Sequence, residues 1–475
     1  MNILRYQKFY LLGIKGVGMT MLAQFLRAQG KDVSGVDVAD VFMTDQVLRQ
    51  AHIKVRLGFD ATYLPKNAVI IYSSAYTENN NPERAYLSAH PEQFKKFPVL
   101  NYAQAIGALF SSYQGLAVCG SHGKTTTAAW LGFVLKRAGL NPNILVGARV
   151  PQLKGSAVLG NSPYFIAEAD EYQNKLQYFQ PHGIILNNID FDHPDYFKNK
   201  RAYFQVFADF VAKLKKSGFL VANAGDTQVR SLFPAVKGKI FSYALAESAP
   251  KGITVSLLAH SLRQEKKWQY FQVNDWGEFK ISLLGRHNVE NALAVLASGL
   301  ALNLDPRILK QHLAAFKGAS RRAELLGCYQ GVPVFDDYGH HPTEVQATLK
   351  AFKETYPDRR LVAVFHPHTF TRTKSLFKNF VNSFSEADVL GILEIYGSAR
   401  EKQGGVSSRD LVNAIKKAGR KKPASYLPDF NGALEWLYKI LGPDDILLLI
   451  GAGDVFRIGE KLLKKRTNSN SKTVG

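Results

Sequence analysis

The residues whose types and spacing most directly imply chemistry are Gly120-Ser121-His122-Gly123-Lys124-Thr125-Thr126-Thr127. An apolar run at 116–119 precedes them and a helical stretch expected over 126–138 follows, so backbone N–H groups and a helix start can face phosphate. In that setting Lys124 would reach the β- and γ-phosphates of a nucleotide, and the Thr125 hydroxyl would ligate Mg²⁺. Gly120, Ser121, His122, Gly123 and Thr126 complete the cradle. The strict phosphate-loop pattern has another glycine where this chain has Val118, so the loop by itself implies nucleotide binding and no particular reaction.

Two acidic stretches fall at expected strand ends of the same unit, where ligands of a parallel sheet collect. Glu168-Ala169-Asp170-Glu171 follows a strand expected at 164–168. Asn187-Asn188-Ile189-Asp190-Phe191-Asp192-His193 follows one at 183–187. Each charge alone could be a solvated loop residue. Beside a phosphate loop, Glu168 and His193 form a candidate metal set with Thr125, able to hold a second Mg²⁺ and spread charge over a transferring phosphoryl group.

Near the N-terminus, Gly13-Ile14-Lys15-Gly16-Val17-Gly18 has Met21 where the dinucleotide fingerprint needs its last glycine, which argues against NAD. Asp37 closes the next strand about 20 residues later, where an acid contacts a ribose. A nucleotide or nucleotide sugar with a pyrophosphate satisfies both observations. Farther on, Arg321-Arg322, Asp336-Asp337-Tyr338-Gly339-His340-His341-Pro342 and His366-Pro367-His368-Thr369-Phe370-Thr371-Arg372 bring arginines, acids and imidazoles to strand ends. Paired arginines suit phosphate or carboxylate because the planar fork binds bidentately. The histidines have no third ligand at zinc spacing.

Positioning these residues requires alternating strands and helices, the pattern of parallel sheets covered by helices. Strands are expected at 9–14, 33–36 and 68–73, with helices over 17–29 and 101–110. Beyond the loop come strands at 218–222, a hairpin of 268–273 and 278–283, and a helix over 288–302. A third set of strands follows at 332–335, 361–365, 389–393 and 446–450. The class is α/β, and with 475 residues, at roughly 100–200 residues per domain, about three domains are expected. Their boundaries are placed at 1–107, 108–318 and 319–475.

Composition bounds the reading further. Apolar residues make up 46% and charged residues 21%, an ordinary globular balance. Cys119 and Cys328 stand far apart, which suggests neither a disulfide framework nor a metal cluster and favours a reducing cytoplasm. No apolar run approaches a membrane span, and the run at 9–12, which leads directly into a Gly/Lys turn, is not expected to act as an export signal. The net charge of +21 and pI near 9.7 are read as a solvated basic surface on an enzyme of phosphorylated substrates, with no nucleic-acid partner expected. The segment from Lys461 onward reads as a fraying terminus.

Taken in order, these motifs, together with Gly285-Arg286-His287-Asn288-Val289-Glu290-Asn291-Ala292, resemble the Mur ligases of peptidoglycan synthesis over nearly the whole chain. That resemblance implies an N-terminal Rossmann-like UDP-binding domain, a central P-loop ATPase domain and a Rossmann-like C-terminal domain. It implies ATP and Mg²⁺ as cofactors and UDP-N-acetylmuramate and L-alanine as substrates, joined through an acyl phosphate by a monomer or homodimer. Lys124, Glu168, His193, Arg322 and His340 would then be catalytic. Gly16, Val17, Gly18, Asp37, Ser74 and His122 would contact the UDP sugar. Asn288, Asn291, Arg322 and Asp337 would join the loop in binding ATP, and His368 and Arg372 would receive the amino acid. Thr369 departs from an arginine found in part of the family. The rival readings are a ligase that recycles a preformed tripeptide onto the same sugar, a nucleic-acid-stimulated P-loop ATPase and a non-catalytic UDP-sugar sensor.

Overall fold

A computed structural model describes residues 1–397, 401, 403–419 and 422–470. The alternation of apolar runs and amphipathic stretches produces three α/β units, each built on one mainly parallel sheet. The N-terminal sheet contains β1 (Lys8–Leu12), β2 (Asp32–Asp37), β3 (Lys54–Leu57), β4 (Val69–Tyr72) and β5 (Val99–Asn101), in the order β3-β2-β1-β4-β5 and all parallel. Strand order reverses between β1 and β4, and the Gly13–Gly18 turn lies at that crevice, where ligands of open sheets bind. Strands β3 and β5 escape the sequence reading. The first is an edge strand with a half-exposed Lys-Val-Arg-Leu sequence and the second has only three residues, so neither shows an apolar run.

The central sheet has ten strands: β6 (Gln114–Cys119), β7 (Asn143–Val150), β8 (Gly155–Val158), β9 (Tyr164–Glu168), β10 (Gly183–Leu186), β11 (Phe219–Asn223), β12 (Lys239–Leu245), β13 (Leu257–Glu265), β14 (Trp268–Val273) and β15 (Glu278–Ile281). Their order is β15-β14-β13-β12-β11-β10-β6-β9-β7-β8. Strand β6 therefore lies between β9 and β10, and the loop at its end opens between the acidic ends of both neighbours. The hairpin expected at 268–283 forms as β14 and β15, and β13 extends it antiparallel.

The C-terminal sheet contains β16 (Glu324–Tyr329), β17 (Val332–Asp337), β18 (Arg360–Phe365), β19 (Val389–Leu393), β20 (Ala424–Leu427) and β21 (Asp445–Ile450). The order β16-β17-β21-β18-β19-β20 puts the apolar Ile446–Ile450 run in the sheet centre, buried on both faces as parallel sheets require. Two corrections concern helix ends. The helix after the phosphate loop starts at Lys124, two residues earlier than expected, because Gly123 (φ 78°) caps it in the left-handed region. The segment expected to fray from Lys461 instead continues the helix Phe456–Asn470, while residues 471–475 lie outside the described residues. Among the described residues, no helix is long and apolar enough to cross a membrane.

Candidate active site

Local chain geometry builds the phosphate loop. Gly120 (φ 124°) and Gly123 (φ 78°) adopt backbone that side chains rarely take. A Cβ on Gly120 would approach Asn188 O at 2.8 Å, and one on Gly123 would meet Asn291 Oδ1 at 2.5 Å. The loop is thus pressed against β10's end and the helix Arg286–Ala301, with Lys124–Thr127 forming the first turn of the following helix. Lys124 Nζ donates to Gly120 O (2.6 Å) and Ser121 O (3.1 Å) and pairs with Glu171 Oε2 at 3.1 Å. Glu171 is fully buried, and its other oxygen accepts from the Tyr203 hydroxyl at 2.9 Å. Burial opposes the Lys124 charge, yet Glu171 and Asp170 more than offset this and keep it protonated.

The expected metal residues divide between two groups. The Thr125 hydroxyl donates to Glu168 Oε2 at 2.9 Å, and Gly147 N donates to the other Glu168 oxygen. His193 instead clusters with Asp170 and Glu171, their ligand atoms lying within 4.8 Å of one another, and Glu168 is not part of that cluster. Hard carboxylate and hydroxyl oxygens with a single imidazole suit Mg²⁺.

A cavity of about 450 Å³ opens between the central and C-terminal units. It is lined by His122, Gly123, Thr126, Asn288, Asn291, Arg322 and Asp337, seven of the residues expected to bind ATP. The two arginines of the sequence pair separate here. Arg321 is committed to Asp336 (2.9 Å) and to the carbonyls of Gly451 and Gly453, whereas Arg322 Nη2 reaches Thr125 Oγ1 at 3.2 Å. Among the described residues Arg322 has no ion-pair partner. Asn187 Oδ1, buried beside the loop, also lacks a hydrogen-bond partner. A cradle closed to any Cβ, a guanidinium outside any ion pair among the described residues and a bare amide oxygen fit a bound polyphosphate nucleotide. Asp337 accepts from Ala323 N and Gly339 N (both 2.8 Å) and so braces the turn it lines. Asn291 likewise ties the two helices, donating to Asn288 Oδ1 and accepting from the Thr127 hydroxyl.

His122 holds the seam. Its Nε2 lies 3.0 Å from Asp190 Oδ2 and its Nδ1 3.2 Å from Glu344 Oε1, which belongs to the C-terminal unit. Burial would push its pKa down, but these two carboxylates raise it to about 9. A raised folded-state pKa stabilises the docked seam fully below the ordinary value of 6.5, and this contribution is lost as pH rises through about 9. Nitrogen-15 NMR of the His122 ring is accordingly expected to show an imidazolium at pH 7.5, and Glu344→Gln to lower its midpoint. A midpoint below 7 in the parent protein contradicts this account.

On the C-terminal side of the seam, Arg372 Nε donates to Asp192 Oδ1 at 3.0 Å, and Arg372 Nη1 lies 3.4 Å from His368 Nδ1. The His340 and His368 rings are 5.9 Å apart. Burial and the Arg372 charge hold His340 at a pKa of about 3 and His368 at about 4, so both are neutral.

In the N-terminal unit, Gly16 caps the helix Val17–Ala28, and Ser74 follows β4 across the crevice. Asp37 is buried and already accepts from Lys15 N (2.7 Å), Val38 N (2.9 Å) and the Tyr76 hydroxyl (2.8 Å), so it shapes the turn in this structure. A Cβ on Gly18 would strike Tyr102 at 2.9 Å, and the Tyr102 hydroxyl's pKa is pushed up by burial and then by the charges of Glu168 and Asp170. Tyr102 thus packs against the glycine turn and feels the charges at the end of β9. Sequence reasoning assigned no role to Glu171, Asp190, Asp192 or Glu344. Only the place of Glu171, Asp190 and Asp192 inside the two acidic stretches could have flagged them, and Glu344 stands two residues beyond the Asp336–Pro342 run.

Three family models match the chain in succession: "Mur ligase family, catalytic domain" over residues 8–114, "Mur ligase middle domain" over 118–299 and "Mur ligase, glutamate ligase domain" over 321–453. A UDP-N-acetylmuramate--L-alanine ligase of Desulfitobacterium hafniense is 35% identical, the match covering 96% of this chain and 99% of the relative. One from Caldanaerobacter subterraneus is 33% identical, with 97% and 98% covered. Among solved structures, a UDP-N-acetylmuramate-alanine ligase from Thermotoga maritima superposes with a TM-score of 0.80 at 24% identity, covering 98% of this chain and 100% of that one. A murein peptide ligase from Psychrobacter arcticus gives 0.70 at 23% identity, covering 96% and 98%. At those identities the two structures establish the fold alone.

Proposed function

The chain belongs to the Mur ligase family, and from that membership we propose that it joins L-alanine to the lactyl carboxylate of UDP-N-acetylmuramate while converting ATP to ADP and phosphate. The observation that carries the donor half is the interdomain cavity into which the glycine loop and the unpaired Arg322 both open. Full-length relatives bearing the alanine-ligase name support the acceptor half.

In this reading the helix start at Lys124 and the loop N–H groups hold the ATP phosphates. Lys124 approaches them from the central unit and Arg322 from the C-terminal unit, so positioning and electrostatics do the catalytic work. Asn288 and Asn291 shape the adenine end, and Asp337 fixes the turn at the ribose. When bound, Mg²⁺ would neutralise phosphate charge and polarise the transferring group, held by Thr125 and Glu168 on one side and by Glu171 and His193 on the other. The Gly16–Gly18 turn and Ser74 hold the UDP moiety, whose sugar carboxylate takes the γ-phosphoryl group. The docked seam of His122, Asp190 and Glu344 keeps water from the resulting acyl phosphate. Neutral His340 and His368 act as hydrogen-bonding groups toward the amino acid, and Arg372 receives its carboxylate.

Incubating the protein with ATP, Mg²⁺, UDP-N-acetylmuramate and single amino acids or the tripeptide tests this directly. Phosphate release and a product mass increased by one alanyl residue are expected with L-alanine. Turnover only with the tripeptide, or only with nucleic acid, overturns it.

A further inference from the structure

The loop after β10 carries a carboxylate that neither the phosphate site nor the seam around His122 accounts for. Asp192 and Arg372 face each other across the central and C-terminal units, each side chain only 7% exposed. The guanidinium presents its Nε and Nη2 edge to Asp192, at 3.0 Å to Oδ1 and 3.4 Å to Oδ2, which leaves Nη1 directed at His368 Nδ1 (3.4 Å) and His368 O (3.5 Å). Asp192 Oδ1 also accepts from His193 N at 2.6 Å. One carboxylate therefore touches both the backbone of the candidate cation ligand and the candidate acceptor arginine. On the far side, the Arg372 backbone is held by its helix cap. Thr369 Oγ1 accepts from Arg372 N, and this β-branched residue sits at φ 70°, a conformation that persists only where surroundings enforce it.

A guanidinium is a planar fork, so occupying one edge fixes the direction of the other. From this geometry we infer that Asp192 is a positioning residue for the acceptor: it turns the remaining Nη edge of Arg372 toward His368, where an amino-acid carboxylate docks. The inference rests on the reading of Arg372 as the anchor of that carboxylate. Asp192 also balances the Arg372 charge, so the subsite suits a small zwitterion better than a substrate bearing a second carboxylate. Removing the Asp192 charge leaves a buried cation without its partner and frees the side chain to rotate.

The test compares two amines. Hydroxylamine has no carboxylate. Its nitrogen attacks the acyl carbon, the new C–N bond replaces the C–O bond to phosphate, phosphate leaves and the nitrogen's proton passes to solvent, giving a hydroxamate. Asp192→Asn is expected to lower kcat/KM for L-alanine at least ten times more than kcat/KM for hydroxylamine, mainly through KM. Asp192→Glu, which keeps the charge but moves it by one methylene, recovers part of the loss. Equal losses for both amines, or an unchanged alanine KM, overturn the proposal. Should the asparagine variant fail to fold, the same ratio is read on the glutamate variant, where a selective loss for alanine supports the proposal and equal losses overturn it. Arg372→Lys separates the underlying reading. If it leaves the alanine KM unchanged, Arg372 is not the anchor and the proposal falls with it. If it raises that KM while Asp192→Asn does not, only the role of Asp192 is wrong.

Discussion

Lys124→Met is expected to lower ATP-dependent turnover by about 10³-fold, the scale for losing one preorganised charge-stabilising group at a phosphoryl-transfer centre. The side chain is held in place before any substrate arrives, by two loop carbonyls and by Glu171. Deleting it has a second effect, because Glu171 is fully buried and would lose its compensating cation, which breaks a buried pair at a cost of about 3–5 kcal/mol. The stability effect is isolated in Lys124→Met/Glu171→Gln, where melting temperature is expected to recover, while turnover stays low because Glu171 is itself read as a Mg²⁺ holder. Turnover within tenfold of the parent would remove Lys124 from the phosphate site. A double variant that regains activity along with stability would show that the lysine matters only for folding.

Arg322→Met is expected to lower kcat by about 10³-fold, as when a phosphate-directed arginine is withdrawn, with little change in melting temperature. Its guanidinium lies 5.1 Å from the Tyr338 ring and reaches Thr125 across the seam, without an ion-pair partner among the described residues. Arg321→Met is expected to behave in the opposite sense. That arginine pairs with fully buried Asp336, whose pKa burial raises to about 6 even with the guanidinium beside it. Its loss should lower the melting temperature of the C-terminal unit and leave kcat of the folded fraction near the parent value. Steady-state kinetics and calorimetry on both variants decide the matter, and a kcat effect larger for Arg321 than for Arg322 refutes the assignment.

Much of the fold is legible because its signals are local. A strand buried on both faces, such as Val389–Leu393, needs an apolar run, and the loop between β6 and its helix needs glycines where φ is positive. These requirements lie within a few residues of one another. Elements with little burial, such as the edge strand β3, carry no such pattern and pass unnoticed. The helix running to Asn470 is missed for a related reason, since its polar end resembles a loose terminus by composition.

For the site, the chain by itself determined that a phosphate loop, two acidic strand ends and a histidine–arginine cluster exist, and in what order, because each is a short motif whose chemistry depends on neighbouring residues. Only the tertiary structure decided how they pair. It separated Arg321 from Arg322, placed Glu168 on Thr125 while His193 joined Asp170 and Glu171, and set Asp192 against Arg372 across 180 positions of sequence. Such partnerships depend on strand order in the sheets and on how two units dock. No local pattern encodes either, because the partners share no backbone constraint until the chain has folded.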